Sequence, residues 1–458
     1  MPLTTGTVVT GQCLGHESQP GCVLPNLFGP QGLTLFPSAQ FPHYAHFIGS
    51  AQTTLNQTLS SAIATQLAIL PIISPSSGFT YKYDSAAGAF VRTTTSFGPI
   101  YAERAETIGR GKFSFGASYQ RFRFSSLDGV DLHKVPAVFT HVPDTGPGGT
   151  SPAYEADVIQ SNNNLQLNMD QTILYGTVGL TDRIDFSVAV PIVSVRMGAT
   201  SNATITRVSG PTFMLNGQTF NNPHQFTSDP NSLTQAYGSH GSATGIGDVT
   251  FRIKGDILQQ DGIRVALAAD VRAPSGNARD FLGAGAMGIK PFVIVSAGKR
   301  VSPHLNLGYE WNGQSILAGD VTGTVIGENA TGQVTIQNGP AIERNLPRLI
   351  FYSAGADFGV TSKLSLAFDY LGQTLFNAPR VKQTTFVTQN IPGGTGALTL
   401  NTIAGTHETF GLNSGAVGLK YNLFGQLLIT ADVLFRMDSN GLRQNVTPLI
   451  ALSYAFGQ

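Results

Sequence analysis

Charged side chains recur at alternate positions between Thr250 and Arg272: Arg252, Lys254 and Asp256 first, then Arg264, Asp270 and Arg272. In the opposite phase stand Phe251, Ile253, Ile257, Ile263, Val265, Leu267 and Val271. Charges spaced in this way can pair with one another or meet a passing solute, but they do not form a catalytic constellation. Gly283, Gly285 and Gly288 satisfy G-x-G-x-x-G, yet they follow a loop and feed a strand. A dinucleotide site needs a strand before that motif and a helix after it. No P-loop, HExxH or GxSxG is present. The closest histidines, His43 and His46, sit in an irregular stretch. His133, His141, His224, His240 and His407 fall in long loops without supporting spacing. No catalytic, cofactor or metal site is expected, and the chain does not read as an enzyme.

Cys13 and Cys22 are the only cysteines. At that spacing they suit one short disulfide-closed loop in an oxidising compartment. Two free thiols, or a metal pair with His16 between them, are the competing readings.

The charged residues must be positioned by strands. Strict period-two alternation gives each strand one apolar and one polar face. The turn Gln259-Gln260-Asp261-Gly262 joins two of them into an antiparallel hairpin. Charges in mid-strand opposite an unbroken aliphatic row are the pattern of a membrane barrel wall, with lipid outside and a polar lumen inside. Composition agrees. Of 458 residues, 53 are Gly and only 12% are charged, against about 25% in a soluble domain. The formal charge is zero, which argues against nucleic acid as a partner. No apolar run is long enough for a transmembrane helix.

About twelve strands are expected, near 112–124, 165–179, 183–197, 245–258, 262–273, 288–300, 303–316, 347–359, 362–375, 408–423, 426–438 and 445–456. Tight turns such as GLTDRID, KRVSPH and FGVTSK alternate with long polar loops. Outer-membrane barrels show that asymmetry, with short periplasmic turns and long extracellular loops. Tyr175, Phe186, Tyr309, Trp311, Phe368, Tyr370, Tyr421, Phe435 and Tyr454 fall where aromatic girdles belong. The chain closes on an apolar strand, PLIALSYAFGQ, with an aromatic near its end.

Residues 1–110 differ from the barrel segment, 111–458. Residues 1–47 are rich in Pro, Gly and Thr. Leu55, Leu59, Ile63, Leu67 and Leu70 follow helical spacing over about 50–70, and Pro71 and Pro75 end that helix. A small hairpin is expected over about 79–94, followed by the charged stretch AERAETIGRGK. This partly helical segment is a candidate lumen plug or periplasmic adaptor, with a solvated tail as the alternative. MPLTTGTVVTG lacks the basic and apolar regions of a signal peptide, although a barrel is exported.

Strand phase assigns Asp170, Arg252, Lys254, Asp256, Arg264, Asp270, Arg272, Lys290, Glu310, Lys363, Asp369, Asp432 and Arg436 to the lumen. Their mixed signs suit pairing across the lumen better than ion selection, since a selective constriction carries one sign. Phe292, Ile294, Leu428 and Leu434 share the phase and offer apolar surface to a solute or to the N-terminal segment.

Three further runs carry a resemblance: Gly245-Ile246-Gly247-Asp248, Pro274-Ser275-Gly276 and Asn306-Leu307-Gly308-Tyr309. This G-x-G-D, P-[ST]-G and N-x-G-Y pattern resembles the MetA-pathway of phenol degradation family of outer-membrane transporters, closely over 244–312 and loosely to the C-terminus. The resemblance implies a barrel similar in architecture to fatty-acid and hydrocarbon transport barrels.

The expectation is therefore an all-β, antiparallel transmembrane barrel whose partners are outer-membrane lipid and small hydrophobic solutes, with no cofactor. It would pass small hydrophobic or aromatic compounds passively. A diffusion pore for hydrophilic solutes is the alternative, followed by a structural or adhesive barrel.

Overall fold

The computed structural model describes residues 13, 15–29, 32–37, 44–75, 78–84, 89–92, 94–141, 153–215, 217–260, 262–320, 324–328, 334–338, 341–391 and 394–456. His43, and the turn of the hairpin expected near residue 86, lie outside them.

Twelve antiparallel strands close on themselves. They are β1 (Phe113–Phe124), β2 (Val158–Gly179), β3 (Ile184–Thr206), β4 (Thr234–Ile246 and Thr250–Gln260), β5 (Ile263–Arg272) and β6 (Gly288–Ala297). The circle continues with β7 (Val301–Asn312), β8 (Arg348–Gly359), β9 (Leu364–Val387), β10 (Thr399–Phe424), β11 (Leu427–Arg436) and β12 (Val446–Phe456). Each pairs with its neighbour in sequence, and β12 returns to β1 with Phe456 opposite Phe113. At the level of the bilayer closure leaves no bare edge, which hydrocarbon would not tolerate.

The outward face is oily. Phe251, Ile253, Ile263, Leu267, Val293, Leu305 and Leu307 are 40–55% exposed. A soluble monomer rarely shows so continuous an apolar surface, whereas lipid solvates it. Trp311, Phe368, Tyr370, Tyr421 and Phe435 are also exposed. Tyr175 departs from the expected girdle, because it is buried on the lumen side. No helix among the described residues is long and apolar enough to cross a membrane. The chain crosses by strands, and it is an outer-membrane barrel.

Strands β2, β3, β9 and β10 hold 22 to 26 residues, at least twice the 9–11 or so that span a bilayer. Much of what the sequence presents as long polar loop, around 198–206, 234–244, 376–387 and 399–407, is therefore strand standing clear of the membrane. A further strand, Val135–Thr140, pairs with the top of β2.

β4 is broken at Gly247-Asp248-Val249. Its upper piece follows the top of β3 and its lower piece follows the bottom. At the break the 273–287 loop folds inward. A Cβ on Gly247 would stand 2.9 Å from the Leu282 carbonyl oxygen, and one on Gly283 only 2.2 Å from Asp248 Oδ1. Only glycines allow this approach.

The N-terminal segment runs inside the barrel. Ile48–Gln52, a π-helical stretch Thr53–Ser60 and Ser61–Leu67 make one continuous 20-residue helix, α1. Leu55, Leu59, Ile63 and Leu67 form its buried stripe, but Ser60, Ser61, Thr65 and Gln66 are buried as well, because the upper barrel surrounds it. Ahead of the helix, Cys13 and Cys22 are joined in a disulfide. Below it the chain descends, forms the hairpin Tyr81–Asp84 and Ala89–Arg92, and re-enters the lower lumen as residues 94–110.

Candidate functional site

The inner face of the wall is polar because a chain segment with no strand partner lies against it. The backbone of 97–108 is satisfied by wall side chains. Phe97 N donates to Ser365 Oγ (3.0 Å), Ala105 N to Ser296 Oγ (3.2 Å) and Ile108 N to Asp185 Oδ2 (3.0 Å). Ile100 N and Tyr101 N both donate to Asp369 Oδ2 (3.3 and 3.2 Å). The carbonyls of Phe97 and Pro99 accept from Lys420 Nζ at 3.2 and 2.5 Å. Buried peptide groups need such partners, and period-two placement of short polar side chains supplies them.

The ion pairs follow the same plan. The β4–β5–β6 register sets Arg252 opposite Asp270 and Asp270 opposite Lys290. Arg252 grips Asp270 with two bonds of 2.6 and 2.8 Å, and Lys290 Nζ adds one of 3.0 Å. Arg252 also contacts Glu103 of the inner segment. Lys254 Nζ lies 3.2 Å from Glu103 Oε1 and donates to the carbonyls of Arg104 (3.1 Å) and Glu106 (2.8 Å). Lower down, Arg264 bridges Asp256 (3.2 Å) and Glu106 (3.7 Å). The mixed charges thus pair with strand neighbours and with the inner segment, not across an open lumen.

Between α1 above and residues 100–103 below lies a cavity of about 200 Å3. One side is apolar, formed by the turn Leu67–Ile72 with Val193, Leu282, Leu349 and Leu371. The other carries Arg252, Arg272 and Lys290 against Glu103, Asp248, Asp270 and Glu310. Phe292 and Phe351 stand between the two, edge to face at 5.4 Å. Lys290 Nζ is 4.9 Å from the Phe351 ring centre and the Arg252 guanidinium 5.1 Å from that of Phe292, cation–π distances that leave an aromatic rim on a charged wall. Arg272 ties the lining together. It donates to the Ala68 carbonyl at the end of α1 (2.7 Å) and to Asn312 Oδ1 (2.5 Å), and lies 3.5 Å from Glu310.

Two of the motif runs line this cavity through Asp248 and Asn306, and the third, Pro274-Ser275-Gly276, is bonded to Asp248. Asp248 accepts from Gly276 N (3.0 Å) and Ala284 N (2.7 Å), and Ser275 Oγ bridges the Gly247 carbonyl and Val249 N. Asn306 holds the backbone of Glu103. A Cβ on Gly308 would stand 2.3 Å from the Phe351 ring, so glycine is what lets that ring lie against β7.

The other residues assigned to the lumen fall as follows. Phe292 and Ile294 cluster with Ala105, Ala266 and Ala268. Leu428 packs on Phe79 and Phe97, and Leu434 on Ile73, Ile100 and Tyr101. Asp369 and Asp432 are buried inside. Arg436 ends β11 at the upper rim and donates to Ser126 Oγ (3.2 Å). Two assignments are corrected. Asp170 points outward, with its neighbours Met169 and Gln171 buried inside; it pairs with Arg121 and Arg196. Lys363 is exposed in the short turn after β8, one residue before its strand begins.

Asp185, Ser296, His304, Asn306 and Lys420 share the lumen phase and also belong to this inner face. His304 Nε2 is 2.6 Å from Asp369 Oδ1 and braces the carboxylate that holds Tyr101. The charged stretch after Tyr101 was visible, but nothing local shows that Glu103 and Glu106 enter a barrel.

Sequence comparison matches the model of the family described as "Putative MetA-pathway of phenol degradation" over residues 140–374, 235 of the 458 residues. The chain belongs to this family. The match contains all three motif runs and the wall from β2 to β8, with the first part of β9. No characterised protein matches the chain in sequence. Among solved structures, this family member is similar to the COG4313 outer membrane channel from Pseudomonas putida F1, at 12% identity and a TM-score of 0.42, covering 78% of this chain and 99% of that one. It is also similar to the P. putida toluene transporter TodX, at 8% identity and a TM-score of 0.31, covering 93% and 100%. A third likeness, to the NanC porin, has 8% identity and a TM-score of 0.32, covering 74% and 98%. Likenesses this distant transfer no substrate.

Proposed function

We propose that this barrel is a passive channel for small hydrophobic or aromatic compounds, with residues 1–110 as its plug and the central cavity as the binding station. The cavity is the observation that supports the reading. An apolar cavity of about 150 Å3 suffices to hold benzene, so one of about 200 Å3 accommodates a single aromatic ring with a small substituent. A water-filled pore offers such a solute no favourable contact, whereas the Leu67–Ile72 turn and the Phe292–Phe351 pair do. Opposed charges that neutralise one another leave no field to select an ion. A diffusion pore for hydrophilic solutes is the weaker reading, because the inner segment fills the lower lumen.

The test is flux into liposomes holding the full-length protein, measured for a labelled monocyclic aromatic and for a sugar of similar size. Faster entry of the aromatic alone supports the proposal. Equal acceleration of both would make the barrel a diffusion pore. L70E and F351E, which put charge into the apolar side, are expected to cut aromatic flux while the protein still folds as a heat-modifiable barrel.

A further inference from the structure

The outward face of β1, β2 and β3 changes character abruptly. In register rows, Phe113, Val178 and Phe186 lie level, and the row of Tyr119, Thr172 and Ile192 stands higher. The next row is Arg121, Asp170 and Ser194, and the one above it Arg123, Asn168 and Arg196. Eight residues separate Phe113 from Arg121. At roughly 3.4 Å per residue and a tilt of about 40° that is about 20 Å along the membrane normal. An apolar belt is about 25 Å tall, so the arginine rows stand at its upper margin on the long-loop side.

The group is organised rather than scattered. Asp170 accepts from Tyr119 Oη (2.6 Å) and Arg196 Nη2 (2.5 Å), and Arg121 Nε lies 3.3 Å away. Asp170 is 19% exposed, while Arg121 and Arg196 keep 41% and 51% of their side chains open, and Arg123 is exposed above them. Three guanidinium groups against one carboxylate leave a net charge of about +2, on a chain with only 27 Lys and Arg in 458 residues.

We infer that this patch is a binding site for the phosphorylated glycolipid of the outer leaflet. Guanidinium groups take phosphate oxygens in paired bonds, and basic clusters beside a membrane surface hold anionic headgroups. The acyl chains of the same lipid would cover Tyr119 and Ile192, exposed in the row directly below. Asp170 sets the spacing of two arginines and its remaining role is positional. The site is independent of the solute that crosses the lumen.

The test is native mass spectrometry of the full-length protein titrated with diphosphoryl lipid A and with its phosphate-free form. The wild-type protein is expected to retain the diphosphoryl lipid preferentially. R121Q/R196Q is expected to lower that affinity on the order of 30-fold, and K363Q, which removes an exposed cation from the short turn at the opposite end of the barrel, to leave it intact. Inorganic phosphate at millimolar concentration should not compete. Equal binding of both lipids, unchanged binding by R121Q/R196Q, or displacement by free phosphate overturns the assignment. R123Q gives a second reading should the double variant lose heat-modifiable folding, and its expected effect is a smaller loss in the same direction.

Discussion

Glu103 and Asn306 hold each other by a reciprocal pair of hydrogen bonds: Glu103 N donates to Asn306 Oδ1 at 2.7 Å, and Asn306 Nδ2 donates to the Glu103 carbonyl at 2.8 Å. One wall amide thus replaces the strand partner that the inner segment lacks, in the lining of the cavity. N306L removes both bonds and leaves two buried peptide groups unsatisfied, at a cost on the order of 2–5 kcal/mol. Hydrogen exchange should rise at residues 100–106 while the barrel strands stay protected. Protection unchanged at 100–106 would show that the other wall contacts hold the segment alone.

The Glu103 carboxylate is the counter-ion of both Arg252 and Lys254. Removing one member of a buried ion pair typically costs about 3–5 kcal/mol, whereas replacing both with apolar groups of similar volume costs far less. E103Q is expected to lower the heat-modifiability midpoint and produce open-channel events in planar bilayers. E103L/K254M should recover part of the midpoint, because Arg252 keeps Asp270. An equal midpoint for E103Q and wild type would contradict this.

Asp248 fastens the 273–287 loop by two charge-assisted bonds, each worth about 1.5–3 kcal/mol. D248A should release the loop, seen as faster proteolysis between residues 276 and 286 in folded protein. D248N, which keeps an acceptor, should cleave at an intermediate rate. Cleavage of D248A at the wild-type rate would place the latch elsewhere.

Cys13 and Cys22 close a loop with a sequence separation of 9, worth about 2–3 kcal/mol to the ordered state. Gly21, inside it, donates its backbone N–H to the Arg279 carbonyl of the same inward loop at 2.9 Å. C13S/C22S should therefore raise hydrogen exchange in residues 15–29 and also in 276–286, with the barrel melting unchanged. A response confined to 15–29 would separate the two segments.

Strand number and the hairpin order were legible from the sequence because alternation is local, set by residues two apart on the same chain. The break at Gly247 and the inward loop were not, although both motifs that make them were visible. Their partnership is a contact between Asp248 and an amide 36 residues away.

The sequence by itself determined that this chain is a lipid-facing barrel, since an aliphatic row opposite mid-strand charges has few other solutions. Which phase of β2 faces the lumen was decided only by the tertiary structure. On β2 the inner residues Leu165, Leu167, Met169 and Ile173 are apolar and buried, packed against the N-terminal core or beside it, and Asp170 faces out. Strands that rise above the bilayer meet water outside and a packed segment inside. There the rule that assigns apolar side chains to lipid inverts, and no residue on the strand itself records what fills the barrel.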